Sequence, residues 1–188
     1  MPLTPADIRS WCIDLIGSSE EIPPLEDCLD AIPDLDSLED LPAGTRVLVR
    51  GDTDVSVADD GTIADDTRLR SLVDTLSYGL GRGWVQLVYG HRGRDPDLSL
   101  APLADHLQSL VPEDSREGRP VVFLGEWLDD ATGEVLPRAA EQVAALSEGS
   151  IAVLENTRRY SLERALWKAE PGEIDELLPR LTAYANTV

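Results

Sequence analysis

The chain has 188 residues, 42% of them hydrophobic and 28% charged, the proportions of a folded globular domain and not of a disordered tract. Its 36 acidic residues against 16 basic ones leave a formal net charge of -20, a surface that repels nucleic acid and anionic lipid because affinity for phosphate polymers comes from clustered Lys and Arg. No apolar run approaches the ~20 residues that span a bilayer, and Asp7, Arg9 and Asp14 interrupt any signal-peptide core, so neither nucleic acid nor membrane is an expected partner and the chain reads as cytoplasmic.

Residues 1–34 read as an acidic extension with prolines at 23, 24 and 33 and one amphipathic helix. Thr4 suits its cap, Pro5 its first position and Asp7 its positive end. Ile8, Trp11, Cys12, Leu15 and Ile16 form one apolar stripe before Gly17. That stripe either packs on its own domain or docks a partner. Cys12 and Cys28 read as free thiols, and two histidines without a cysteine cluster give no basis for a structural zinc site.

Residues 35–188 read as a single domain. Short β-branched runs at Arg46–Arg50, Trp84–Gly90, Val121–Gly125, Ile151–Asn156 and Ala183–Val188 predict strands. Between them, helical spacing joins Leu69, Leu72, Val73 and Leu76, then Leu103, Leu107, Leu110 and Val111, then Val135, Leu136, Ala139, Ala140 and Val143, and last Ile174, Leu177, Leu178 and Leu181. Strands separated by single helices pair in parallel through right-handed crossovers, which predicts a Rossmann-like three-layer α/β/α fold with a mainly parallel sheet. Asp60-Gly61 between two alternating runs suggests a small hairpin. Gly79-Leu80-Gly81-Arg82-Gly83 follows a helix and precedes a strand, so it reads as a helix stop and not a phosphate cradle. The pairs Asp59-Asp60 and Asp65-Asp66 suit turn and capping roles, and His106 reads as a hydrogen-bonded helix histidine.

Ligands of open parallel sheets bind at the carboxyl ends of the strands. There the sequence places Arg50 to Asp54, His91 to Arg94, and Asn156 to Arg159, while Arg68 and Arg70 open the first helix. Together with Arg46, most of these arginines are expected at one rim of the sheet. The planar fork of arginine grips phosphate and carboxylate oxygens with two parallel bonds, so a small, multiply charged anion is the expected ligand.

From about Leu35 onward the residues resemble the N-terminal domain of phosphoglycerate kinases. The segments that carry the resemblance are RVLVRGDTDV, DGTIADDTRLR, GHRGR, SLAPLADHL and VLENTRRY, in that order. The resemblance implies a domain that holds 3-phosphoglycerate. By it, Asp52 contacts the hydroxyl and carboxylate end, His91, Arg94 and Arg158 hold anionic groups, and Arg68 is the catalytic arginine that steadies the transferring phosphoryl group. Thr53, Asp54, Arg92 and Gly93 complete the expected substrate-binding set. Thr53, Asp54, Ser56 and Arg92 stand where the family pattern has Phe, Asn, Pro and Leu. A further carboxylate at Asp54 opposes a trianionic ligand by ~4 kcal/mol at 4 Å and an effective dielectric of 20, a charge that Arg92 is placed to answer. No metal or cofactor is expected on this chain; magnesium ADP or ATP belongs to the nucleotide-binding half, absent from the sequence.

The leading expectation is a truncated phosphoglycerate-kinase N-terminal domain that binds 3-phosphoglycerate or a similar anion. Phosphoryl transfer then needs a separate chain carrying the nucleotide-binding half. The alternative is a non-catalytic binding or regulatory module that uses the N-terminal extension as its contact surface.

Overall fold

A computed structural model describes residues 2–17, 34–165, 167 and 169–187. Pro23, Pro24, Pro33, Cys28 and Val188, and the side chains of Leu15 and Ile16, lie outside the described residues. The elements run α1 (Pro5–Gly17), β1 (Arg46–Arg50), α2 (Thr67–Arg70), α3 (Val73–Gly81), β2 (Val85–Tyr89), α4 (Ala101–Leu110), α5 (Glu113–Arg116), β3 (Val121–Leu124), α6 (Pro137–Ala144), β4 (Ile151–Leu154) and α7 (Ile174–Thr187).

The sheet is fully parallel, in the order β1-β2-β4-β3. Strand alternation divides the core in two, because successive side chains point to opposite faces. Val49, Val88, Val121, Phe123, Ile151 and Val153 meet Leu69, Leu72, Leu76, Leu80, Leu103 and Leu107 on one face. Leu48, Leu87, Val122, Leu124, Ala152 and Leu154 meet Trp127, Ala139, Val143 and Tyr160 on the other. Two covered faces make the three-layer α/β/α arrangement, and they explain why β4 is buried along its whole length.

Three local features differ from the sequence expectation. The Ala183–Val188 strand does not form: residues to Thr187 continue α7, a helix that passes through Pro179. Ile174, Leu178, Leu181 and Ala185 recur at helical spacing and face α1, and Tyr184 packs 6.2 Å from the Trp127 ring, so packing outweighs the β-branched tail. The Asp60-Gly61 turn forms, with Gly61 at φ 84° and its amide donating to Ala58, but its flanks make no strand ladder. The first long helix is broken at Ser71 and Leu72 into α2 and α3.

The glycine run after α3 is the expected helix stop. Gly83 has φ 72°, its amide donates to Leu80 and the Trp84 amide donates to Gly79, which closes the helix end. Buried Gln86 explains Gly79: its Nε2 donates to the Leu76 carbonyl at 2.9 Å, and in that position its Oε1 would lie 2.3 Å from a Cβ on residue 79.

Thr4 caps α1 as its position suggests. Its hydroxyl donates to Asp7 at 2.7 Å and accepts the Asp7 amide. Ile8 and Cys12, the latter a buried free thiol, pack on Ile174, Leu178, Leu181 and Ala185, so α1 rests on α7. Trp11 remains 57% exposed and does not share the buried stripe. No helix among the described residues is long and apolar enough to cross a membrane.

Candidate functional site

Adjacent strands β1, β2 and β4 end at one edge of the sheet, and the loops that follow them are bonded to one another. After β1, Thr53 is 1% exposed and its hydroxyl donates to the His91 carbonyl at 2.8 Å. Asp54 Oδ1 accepts the Gly93 amide at 2.7 Å, and its other oxygen lies 3.8 Å from His91 Nε2. After β4, fully buried Asn156 accepts the amides of Arg92 and Arg158 and donates to the carbonyls of Arg92 and Leu98. Arg158 Nη1 donates to the Gly93 carbonyl. Three loops from three strands thereby behave as one unit, with positive φ at Gly93 allowing the reversal between His91 and Arg94.

The space behind Gly90 is equally tight. A Cβ on Gly90 would lie 2.3 Å from Thr53 Oγ1 and 2.8 Å from the Gly51 carbonyl oxygen. Glycine at this position lets the first two loops touch.

Beneath the loops, buried Glu155 accepts the Ser99 hydroxyl, the Leu100 amide and the Asn156 amide, each at 2.7–2.8 Å. Arg159 adds an ion pair at 3.5 Å. A buried carboxylate is tolerated only when its oxygens are saturated in this way. Neither the bracket at Asn156 nor the support at Glu155 was read from sequence; the acid directly after an apolar strand was the available signal.

Of the expected site residues, the exposed outer set is Asp52, Arg68 and Arg94. Arg68 Nη1 donates to Asp52 Oδ1 at 2.9 Å. Arg94 forms no ion pair among the described residues, and neither does Arg50. His91 is held below its ordinary pKa of 6.5, chiefly by burial and next by the Arg158 charge, with Asp54 pulling the other way. The imidazole is therefore neutral at pH 7.

Arg92 departs from the sequence expectation. Its guanidinium donates inward to the carbonyls of Val55, Ser99 and Val57, at 3.3, 3.0 and 3.5 Å, and does not answer Asp54. Asp54 is answered by the Gly93 amide and His91. The arginine rim is also smaller than expected. Arg46 begins β1 and so lies at the opposite end of the strand, Arg70 pairs with Asp66, and Asp66 also holds His106 at 2.9 Å. Asp60 and Asp65 accept from Thr62 and Thr67, the turn and capping roles expected of them.

A parallel Rossmann-like α/β domain, with arginine, histidine and aspartate loops locked together at the carboxyl ends of its strands, is the class that this fold and site define. The family model for phosphoglycerate kinase matches residues 38–187. Phosphoglycerate kinase from Frankia casuarinae is 42% identical over 124 residues, which are 62% of this chain and 29% of that protein. The Leifsonia xyli enzyme is 39% identical over 161 residues, 83% of this chain and 36% of its own length. A crystal structure of phosphoglycerate kinase from Pyrococcus horikoshii shares the fold, with a TM-score of 0.54 at 22% identity, over 68% of this chain and 28% of that one. The chain belongs to the phosphoglycerate kinase family and spans about a third of the length of these relatives.

Proposed function

We propose that the strand-end unit binds 3-phosphoglycerate or a closely similar small anion, and that phosphoryl transfer requires a nucleotide-binding half in addition to these 188 residues. The observation that carries this reading is the bonding of the loops at residues 50–54, 91–94 and 156–159 into one frame that presents Arg94, Arg158, Arg50 and neutral His91 at a single edge. Arginine forks at such an edge match carboxylate and phosphate oxygens.

In this reading Arg94 and Arg158 hold the anionic groups, Asp52 meets the hydroxyl end, and Thr53, Arg92 and Gly93 act by keeping the loops in place. Arg68 is the catalytic residue. It rests on Asp52 at an exposed pair, a contact weak enough to be exchanged for a transferring phosphoryl group, where a cation placed over spreading charge lowers the barrier. The other half would supply the magnesium nucleotide.

Titration calorimetry of 3-phosphoglycerate into the chain tests the binding. Micromolar to submillimolar affinity that falls at least tenfold in Arg94→Ala is the expected result, and no heat at millimolar ligand overturns it. ATP formation from 1,3-bisphosphoglycerate and ADP is expected only when a nucleotide-binding half is added.

A further inference from the structure

Trp167 is 54% exposed, an unusual place for the largest apolar side chain; its amide donates to the Arg164 carbonyl, and no side-chain hydrogen bond to it is found among the described residues. What it does touch is Arg158: the guanidinium carbon lies 5.3 Å from the indole centroid. Arg158 is held at Nη1 by the Gly93 carbonyl and along its backbone by Asn156, while Nε is buried without a hydrogen-bond partner. Arg158 shares the lack of an ion pair among the described residues with Arg50 and Arg94, whereas other arginines are paired. Arg68 is paired with Asp52, Arg70 with Asp66 and Arg159 with Glu155. Arg158 makes no ion pair within 4.0 Å among the described residues, and the carboxylate that feels its charge is Glu163, whose pKa burial raises and Arg158 lowers.

The physical difference matters for an anion site. A carboxylate restrains an arginine by neutralising it, and an incoming anion must then displace that partner. An aromatic face restrains the plane of the guanidinium through the ring quadrupole and leaves its charge and its outer edge available. Holding one long side chain in its binding orientation also removes part of the ordering cost of ligand capture.

We propose that Trp167 is a positioning residue for the anion site: its indole fixes the Arg158 guanidinium in the orientation that meets the ligand, without cancelling its charge. This rests on the binding role proposed above for Arg158. Trp167, between the 157–159 turn and α7, thus takes part in the site, although it follows no strand end.

Two measurements test it in the intact chain. The first needs no ligand: the Nε–Hε resonance of Arg158 in an arginine side-chain NMR spectrum should be displaced by the indole ring current and return toward the ordinary position in Trp167→Ala. An unchanged resonance overturns the proposal. The second is calorimetry with 3-phosphoglycerate. Trp167→Ala should weaken binding about two- to fivefold, the range for a half-exposed cation–π contact. Trp167→Phe, which keeps a ring face, should stay within about twofold of wild type, with melting temperatures unchanged in both. Wild-type affinity in Trp167→Ala alongside a large loss in Arg158→Ala overturns the role of Trp167 alone. No binding by the wild-type chain overturns the anion-site reading and this role with it.

Discussion

Asp54 accepts the amide hydrogen of Gly93 at 2.7 Å, so a carboxylate foreign to the family pattern serves as a clamp between the first two loops of the site. Asparagine can accept the same hydrogen bond without the charge. Asp54→Asn is therefore expected to keep the melting temperature within a few degrees and to strengthen 3-phosphoglycerate binding about tenfold, ~1.4 kcal/mol, between the aqueous and partly buried limits for a unit charge a few Å away. Asp54→Ala, which leaves the Gly93 amide without its partner, should lose ~1–2 kcal/mol of stability by chemical denaturation.

Asn156 satisfies two amides and two carbonyls from a fully buried position. Removing its amide group strands several buried backbone groups together, so Asn156→Ala should cost ~2–4 kcal/mol. Urea denaturation should show it as a lower midpoint, with anion binding weakened in the fraction that remains folded.

Gly90→Ala tests the tight contact between loops. The added methyl meets the Thr53 hydroxyl oxygen at 2.3 Å and the Gly51 carbonyl at 2.8 Å, distances no Cβ tolerates, and the second wall is backbone. The expected loss is ~2 kcal/mol or more. Gly61→Ala is a useful control, because its Cβ would meet open space, and strain from φ 84° alone should cost ~1 kcal/mol.

His91 couples the site to pH. Because its folded pKa lies below 6.5, the unfolded chain takes up the proton first as pH falls, so the stability it contributes is present above pH 6.5 and declines on acidification toward the folded value. The same protonation adds a cation to the anion site. Between pH 7 and 5, wild type should lose stability and gain affinity relative to His91→Gln, compared as a difference so that titration of the ligand phosphate cancels. A second fall, below about pH 3.8, belongs to the hydrogen-bonded carboxylates of Asp60, Asp65, Asp66 and Asp130, whose folded pKa values are lowered.

Ile8→Ala tests whether α1 is part of the fold. The side chain is buried against α7, and its truncation should cost ~2 kcal/mol or more in thermal or urea unfolding. Trp11→Ala, at an exposed position on the same helix, should leave stability within ~0.5 kcal/mol.

The parallel sheet was readable because the short β-branched runs at Val47, Val88, Val122 and Val153 and helical spacing at Leu103 and Leu107 are local patterns. The end of the chain was misread for the converse reason. Thr187 is β-branched, but Tyr184 and Ala185 take their conformation from Trp127 and α1, which are distant in sequence. Proximity to strand ends grouped Thr53, His91, Gly93 and Arg158, and hydrogen bonds join Thr53 to His91 and Arg158 to Gly93. The direction of Arg92 was not legible, since inward carbonyls at Val55, Val57 and Ser99 exist only once the loops have folded. Trp167 was silent for the same reason.

The lashing of the two outer helices has a dynamic consequence. Asn186 accepts the Leu3 amide at 2.8 Å and donates back to the Leu3 carbonyl, and Arg9 reaches Asp175 at 2.7 Å, so the start of α1 and the residue before its cap are tied to both ends of α7. Ile8, Cys12 and Ile174 form a small cluster that meets the second sheet-face core through α7, where Leu181 touches both and Tyr184 packs on Trp127. α1 is thus held through α7, while α7 is also held by the sheet-face core: amide hydrogen exchange in α1 should proceed at a free energy no higher than that of α7, with both below β2 and β4, and altering α7 should loosen α1 as well.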